Sequence, residues 1–172
     1  MKCYLCNKTA KIKQQKGRYI CNECFVRLIE KRIRKNTRLN KIFRPKDNVL
    51  VLGDLSRYFV ESITRDLPIK VFYRKNKKVN KVVVEWTADD EANLFLEGLF
   101  SGKKIKQDKK HVKLLRVITD REARLFAKIK KLKFKENKKN NDIQKFIDEL
   151  EKRDTGAKHG LLRNADMLNR LT

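Results

Sequence analysis

Apolar residues along this chain recur first at helical and then at strand spacing. After Cys24, Phe25, Leu28, Ile29 and Ile33 repeat at three- and four-residue steps, and Leu39, Ile42 and Phe43 prolong the same face. That spacing predicts an amphipathic helix, with Arg27, Lys31, Arg34, Lys35 and Arg38 on its other side. Pro45 ends it, and Lys46-Asp47-Asn48 reads as a turn. Val49 to Leu52 is then a short buried strand, and a turn at Gly53-Asp54 leads to a helix around Arg57 to Thr64. Ile69 to Tyr73 and Val82 to Val84 are further strands, separated by the charged run Arg74 to Lys78. Thr87, or Ala88-Asp89, starts a helix with Asp89, Asp90 and Glu91 in its first turn, where the helix dipole favours anions. Ser101-Gly102 stops it, Lys103 to Lys110 is a basic loop, and Val112 to Ile118 is extended. Thr119 and Glu122 form a capping box that opens a helix through Leu132. After a polar break at Asn137 to Asn141, Ile143 to Leu150 is helical, and a last helix carries Leu161, Leu162, Met167, Leu168 and Leu171. Strands alternating with helices predict an α/β fold with a parallel sheet.

The four cysteines all fall within the first 24 residues, as two C-x-x-C pairs: Cys3 with Cys6, and Cys21 with Cys24. Each pair can grip one side of a tetrahedral ion while the residues between fold as a hairpin, which is zinc-ribbon or zinc-knuckle spacing. The reading is one structural zinc per chain. Disulfides in a secreted module would need an export signal, and the opening Met-Lys-Cys-Tyr-Leu-Cys has no apolar h-region. A redox C-x-x-C rarely comes paired. The longest clean apolar run, Val49 to Leu52, is far short of the roughly 20 residues of a membrane span. The expectation is a cytoplasmic protein without a membrane partner.

Charge then narrows the function. There are 45 Lys+Arg against 21 Asp+Glu in 172 residues, a formal net charge of +24. Solubility needs a magnitude of only about 2–8 in a small domain, so a polyanion is the expected partner, with nucleic acid the default. Lys outnumbers Arg, which suits phosphate contacts more than bidentate base reading. The candidate RNA contacts are Lys31, Arg34, Lys35 and Arg38 on the first helix and Lys103, Lys104, Lys106, Lys109 and Lys110 in the basic loop. Tyr19, Phe25, Tyr58, Tyr73 and Trp86 can stack on bases or fill a core. Asp89 and Asp90 read as capping and dipole partners rather than an acid/base pair. His111 and His159 read as surface residues, and Ser56 has no His–Asp partner set that would make it a nucleophile.

Cys21-x-x-Cys24-Phe25 running into a charged helix, and then Phe43-Arg44-Pro45-Lys46-Asp47-x-Val49-x-Val51, resemble in the same order stretches of the PP-loop tRNA 2-thiolation family. Asp89-Asp90-Glu91-Ala92 followed by Leu94 to Gly102 is similar to the family's L-D-D-E-A motif and helix. Lys113-Leu114-Leu115-Arg116 with Glu122 and Ala127 is similar to its P-L-R segment, and Leu150-Glu151, Gly156, Leu161-Leu162 and Asn164 to its C-terminal helix pair. The resemblance implies a reduced PP-loop, Rossmann-like sheet with flanking helices behind the zinc module. Its domains would be a zinc module at 1–25, a basic linking helix at 26–44, the PP-loop α/β domain at 45–132 and a helical segment at 133–172.

The departures from that family point away from catalysis. Active members carry S-G-G-x-D-S after the first strand, where this chain has Asp54-Leu55-Ser56-Arg57-Tyr58-Phe59. They also carry cysteines between strands and before the C-terminal helices, where this chain has none and reads Lys135-Glu136-Asn137-Lys138-Lys139. Material around residues 74–80 and a second zinc module are missing relative to them. The resemblance therefore implies a non-catalytic, tRNA-binding subunit that pairs with a catalytic PP-loop thiolation paralogue. The alternatives are a zinc-ribbon RNA-binding protein of ribosomal or transcriptional type, and an active thiolase with an unusual loop.

Overall fold

The computed structural model describes residues 1–14, 17–102, 108, 110–154 and 156–171, the last three as backbone. A small antiparallel ribbon, β1 (Ile12–Lys13) and β2 (Tyr19–Ile20), precedes α1 (Asn22–Leu39). The α/β body follows as β3 (Asn48–Val51), α2 (Asp54–Ile63), β4 (Lys70–Phe72), β5 (Lys81–Val83), α3 (Ala88–Ser101), β6 (His111–Val112), a 3-10 turn (Leu114–Val117) and α4 (Asp120–Lys130). Helices α5 (Asn141–Arg153) and α6 (Ala157–Leu171) close the chain.

The four strands β3 to β6 form one sheet in the order β4-β3-β5-β6, every neighbouring pair parallel, with Leu50 opposite Phe72, Val51 opposite Val83, and Val83 opposite Val112. The chain leaves β3 toward one edge and β5 toward the other. Right-handed crossovers in opposite directions place α2 and α3 on opposite faces and make the β3/β5 junction the topological switch point, where such sheets open a crevice beyond the strand ends. The link from β4 to β5 is only residues 73–80, below the dozen or so residues of an ordinary parallel crossover. Strands of three residues each leave little length to retrace.

One core joins the cysteine module to the sheet. Cys3, Ile20, Cys24, Phe25, Ile29 and Ile33 are buried continuously with Val49, Val51, Phe59, Val83, Leu114, Leu115 and Phe126. At its centre Phe59 and Phe126 stack 4.9 Å apart with Tyr58 edge-on to both, and the Tyr58 hydroxyl donates to Glu30 at 2.6 Å. Arg32 meets both carboxylate oxygens of Glu122 at 2.9 Å, fixing α1 to α4. A smaller cluster, Ala92, Leu96, Ile143 and Ile147, joins α3 to α5.

Element boundaries differ from the sequence expectation in three places. Helix α1 stops at Leu39, before Ile42 and Phe43, because Lys41 turns left-handed (φ 46°) and the N–H groups of Lys41 and Ile42 return to Arg38 and Thr37, a Schellman reversal. Helix α2 starts at Asp54, not Arg57, with Gly53 at its cap. The segment 112–118 is a two-residue strand followed by a 3-10 turn, since Leu114, Leu115 and Ile118 all enter the core at three- and four-residue spacing. Among the described residues no helix is long and apolar enough to cross a membrane.

Candidate functional site

The cysteine spacing closes into a single cluster. A turn at Cys3–Asn7, closed by Asn7 N–H to the Cys3 carbonyl at 2.9 Å, brings Cys6 round, and Cys21 caps α1 with its sulfur 3.5 Å from the Cys24 N–H. The four sulfurs all lie within 4.8 Å of one another, and those of Cys6 and Cys21 are 3.6 Å apart. Metal–sulfur bonds of about 2.3 Å in a tetrahedron put sulfurs about 3.8 Å apart. The set can therefore hold one metal ion, with no position left open for chemistry.

Within the cluster the thiols of Cys3 and Cys24 are shifted in opposite directions. Burial acts to raise Cys3, but backbone N–H groups of Cys21, Leu5 and Cys6 aimed at its sulfur bring it down to about 6. Hydrogen bonding with Cys6 and burial hold Cys24 up at about 12. A bound cation removes that conflict, because each thiolate then faces positive charge. Lys8, beside the cluster, is engaged with Glu23 at 3.0 Å.

The second place of interest is the switch-point crevice. Gly53 (φ 91°) lets the chain turn from β3 into α2, whose first N–H groups then point into the crevice. A helix N-terminus in that position is a ready anion site. Here it is occupied from within the chain. Glu85, just past the end of β5, accepts the N–H of Leu55 at 2.9 Å and of Ser56 at 3.3 Å through one carboxylate oxygen. Its side chain lies against Gly53 so closely that any Cβ there would collide with it. Asn137 donates to the Glu85 backbone carbonyl at 2.7 Å. Leu55 and Ser56 are buried, and Asp54 is exposed on the first turn. Burial, together with neighbouring Asp54, raises Glu85 above the usual carboxylate range against the pull of the N–H groups. Glu85 went unnoticed in the sequence; its signal was its position, first polar residue after a β-branched strand beside the turn glycine.

The run Asp89-Asp90-Glu91 is buried at the start of α3 and fully engaged by cations. Lys139 lies 2.7 Å from Asp90 and 2.8 Å from Asp120; Lys158 lies 2.5 Å from Asp89 and 2.7 Å from Asp148. Lys113, at 2.7 Å, and Arg116, at 3.4 Å, bind Glu91. Asp90 also completes a capping box with Thr87, as expected of a first-turn acid.

The basic contacts expected on α1 stand together. Lys31, Arg34, Lys35 and Arg38 are exposed along one side with Arg27 and Glu30, lining a shallow groove of about 440 Å³, and none has an acid partner among the described residues. Lys110 is exposed at the turn into β6. Lys103, Lys104, Lys106 and Lys109 lie outside the described residues. Of the aromatics, Phe25 and Tyr58 belong to the core, while Tyr73 lies exposed beneath Arg57 at 4.2 Å.

The raised Glu85 carboxyl has a consequence for stability. The folded chain holds that proton more tightly than the unfolded one, so stability present below the usual glutamate value near 4.5 is lost as pH rises through the folded value. Glu85→Gln keeps an acceptor for the two N–H groups but removes the titration. Urea unfolding from pH 4 to 7 is expected to show the wild type losing stability relative to Glu85→Gln as pH rises. Parallel curves would place Glu85 in solvent rather than in the cradle.

No family model matches the chain, and no curated protein matches it by sequence. Among solved structures it is similar in fold to the U34-tRNA thiolase NcsA from Methanococcus maripaludis with its [4Fe-4S] cluster, at a TM-score of 0.77 over 98% of this chain and 88% of that one, with 16% identity. The chain thus has the α/β fold of that thiolase, with an N-terminal four-cysteine cluster and a four-stranded parallel sheet.

Proposed function

We propose that this chain is a non-catalytic, tRNA-binding partner subunit in wobble-uridine 2-thiolation, acting in the cytoplasm beside a catalytic PP-loop thiolation paralogue. The observation that carries the reading is Glu85 seated on the α2 N-terminus of a thiolase-like sheet. That is the position where the resemblance places the pyrophosphate of ATP. A carboxylate about 4 Å from a like charge costs roughly 4 kcal/mol even at an effective dielectric near 20, about three orders of magnitude in affinity. Leu55 and Ser56 carry side chains where the resemblance places two glycines. Lys139, in the stretch where active members have cysteines, is committed to Asp90 and Asp120. All four cysteines of the chain are in the N-terminal cluster, so none remains to carry sulfur.

The metal we assign to that cluster is zinc. Sulfurs all within 4.8 Å suit a single ion, whereas an iron–sulfur cube ligates each thiolate to a different iron and needs a wider shell. The unpaired cations of α1 supply the RNA surface, since phosphates replace condensed counterions along such a face.

Three outcomes are expected. Isothermal titration with Mg-ATP shows no binding; a micromolar site abolished by Arg57→Ala would replace this reading with that of an active enzyme. Protein purified anaerobically carries one zinc per chain, and Cys21→Ser loses it and loosens residues 1–25, since such sites contribute on the order of 10 kcal/mol to local folding; iron in the metal analysis would overturn the assignment. Binding of tRNA weakens steeply between about 50 and 200 mM salt, and reversing Lys31, Arg34, Lys35 and Arg38 together lowers it by at least tenfold. A salt-independent affinity would contradict the electrostatic mechanism.

A further inference from the structure

A second basic depression lies away from both the cysteine cluster and the switch-point crevice. It is a groove of about 870 Å³ between the end of α1, the edge strand β6 and α6. Its lining runs from the first residues of β5 and β6, Lys81 and His111, to Lys113 and Arg116 beyond β6, and does not include Glu85 or Gly53.

Its charge arrangement is specific. Every acid on the wall is already bound by a cation of the same wall: Asp47 by Lys81 at 2.7 Å, Glu91 by Lys113 at 2.7 Å, and Asp166 by Arg116 at 2.6 Å. Burial acts to raise Asp47, but Lys81 and the Arg44 N–H hold it below the usual carboxylate range, so it stays charged and committed. That leaves Lys41 and Arg44 on one side and Arg163 on the other, all exposed and without an acid partner among the described residues. Half-buried Ile42 and Val112 give the groove an apolar component alongside these cations.

Cations facing each other across an apolar strip match a strand that carries phosphates on its outside and unpaired bases within. A duplex buries its bases in its own stack and offers such a strip nothing. The groove is partly open to solvent, as a site that holds a segment of a longer strand has to be. We infer that it holds a single-stranded RNA segment, with phosphates on Lys41, Arg44 and Arg163 and bases over Ile42 and Val112. This deepens the tRNA-binding reading by giving the chain a second surface: α1 for the folded body of an RNA, and the groove for an unpaired stretch.

The test uses the full-length zinc-loaded chain and a fluorescent eight-nucleotide oligouridine, with whole tRNA and inorganic pyrophosphate as companion probes. Replacing Lys41, Arg44 and Arg163 together by Ala touches only exposed side chains. Circular dichroism and the thermal midpoint are measured alongside, and Arg163→Ala alone serves as the milder variant. The triple variant is expected to weaken the oligonucleotide at least tenfold. It should also flatten its log affinity against log salt by about 2, since each phosphate contact with a single strand contributes about 0.7 to that slope. Reversal of the four α1 cations is expected to leave the oligonucleotide within about twofold while weakening tRNA. If the triple variant binds oligouridine as the wild type does, the groove is not an RNA site, and the subunit reading stands if tRNA still binds through α1. If pyrophosphate competes at the same concentration as the oligonucleotide, the groove is a small-anion site and the strand assignment falls. If wild type binds neither RNA, both readings fall together.

Discussion

Three consecutive carboxylates buried at the start of one helix govern how the last third of this chain is arranged. Asp89, Asp90 and Glu91 lie within a single turn, each at most 4% exposed. The α3 dipole helps, but it is worth at most about 2 kcal/mol, while each unpaired buried charge costs several. The remainder has to come from cations delivered by other segments. Lys113 and Arg116 arrive from the turn after β6, Lys139 from the link before α5, and Lys158 from the first turn of α6. Because removing one partner of such a pair leaves a charge stranded at about 3–5 kcal/mol, these contacts fix position as much as they contribute energy. Burial alone would lower Lys139 and Lys158, yet the carboxylates around each raise them, so both remain cations.

The same logic explains the crevice. A parallel sheet with a switch point creates an anion site at α2, and an empty N-terminus there would leave backbone N–H groups without partners. This chain fills the position with its own Glu85, whose carboxylate accepts the N–H groups of Leu55 and Ser56, while Asn137 donates to the Glu85 carbonyl. Acids are consumed internally in this way at α3, at Glu85 and at Asp47, and the surplus of Lys and Arg is left on the outside, along α1 and around the groove beside α6.

Much of the fold was legible because periodicity and capping are local signals. The Thr87 and Thr119 caps, the strand at Val49 and the cysteine pairs all lie where the residues indicated. What escaped depended on contacts between distant segments. The reversal at Lys41 uses a left-handed non-glycine residue, which no local preference announces. The 3-10 turn at Leu114 is set by how three apolar residues reach a core built by α1 and α4. The occupant of the α2 N-terminus, Glu85, comes from about thirty residues away, so no local signal ties it to that helix. His111 on β6 and His159 on α6, read as surface residues, both line the groove beside α6, a juxtaposition that only the packing of distant elements creates.

Whether this chain makes 2-thiouridine by itself separates a partner subunit from an enzyme. The decisive measurement is mass spectrometry of nucleosides from tRNA incubated with Mg-ATP and a sulfide donor, using the zinc-loaded chain alone, the PP-loop thiolation paralogue proposed as its partner alone, and both together. The account predicts no 2-thiouridine from the chain alone and more from the pair than from the partner alone. Formation of 2-thiouridine by the isolated chain, abolished by substitution in the α2 N-terminal turn, would contradict it.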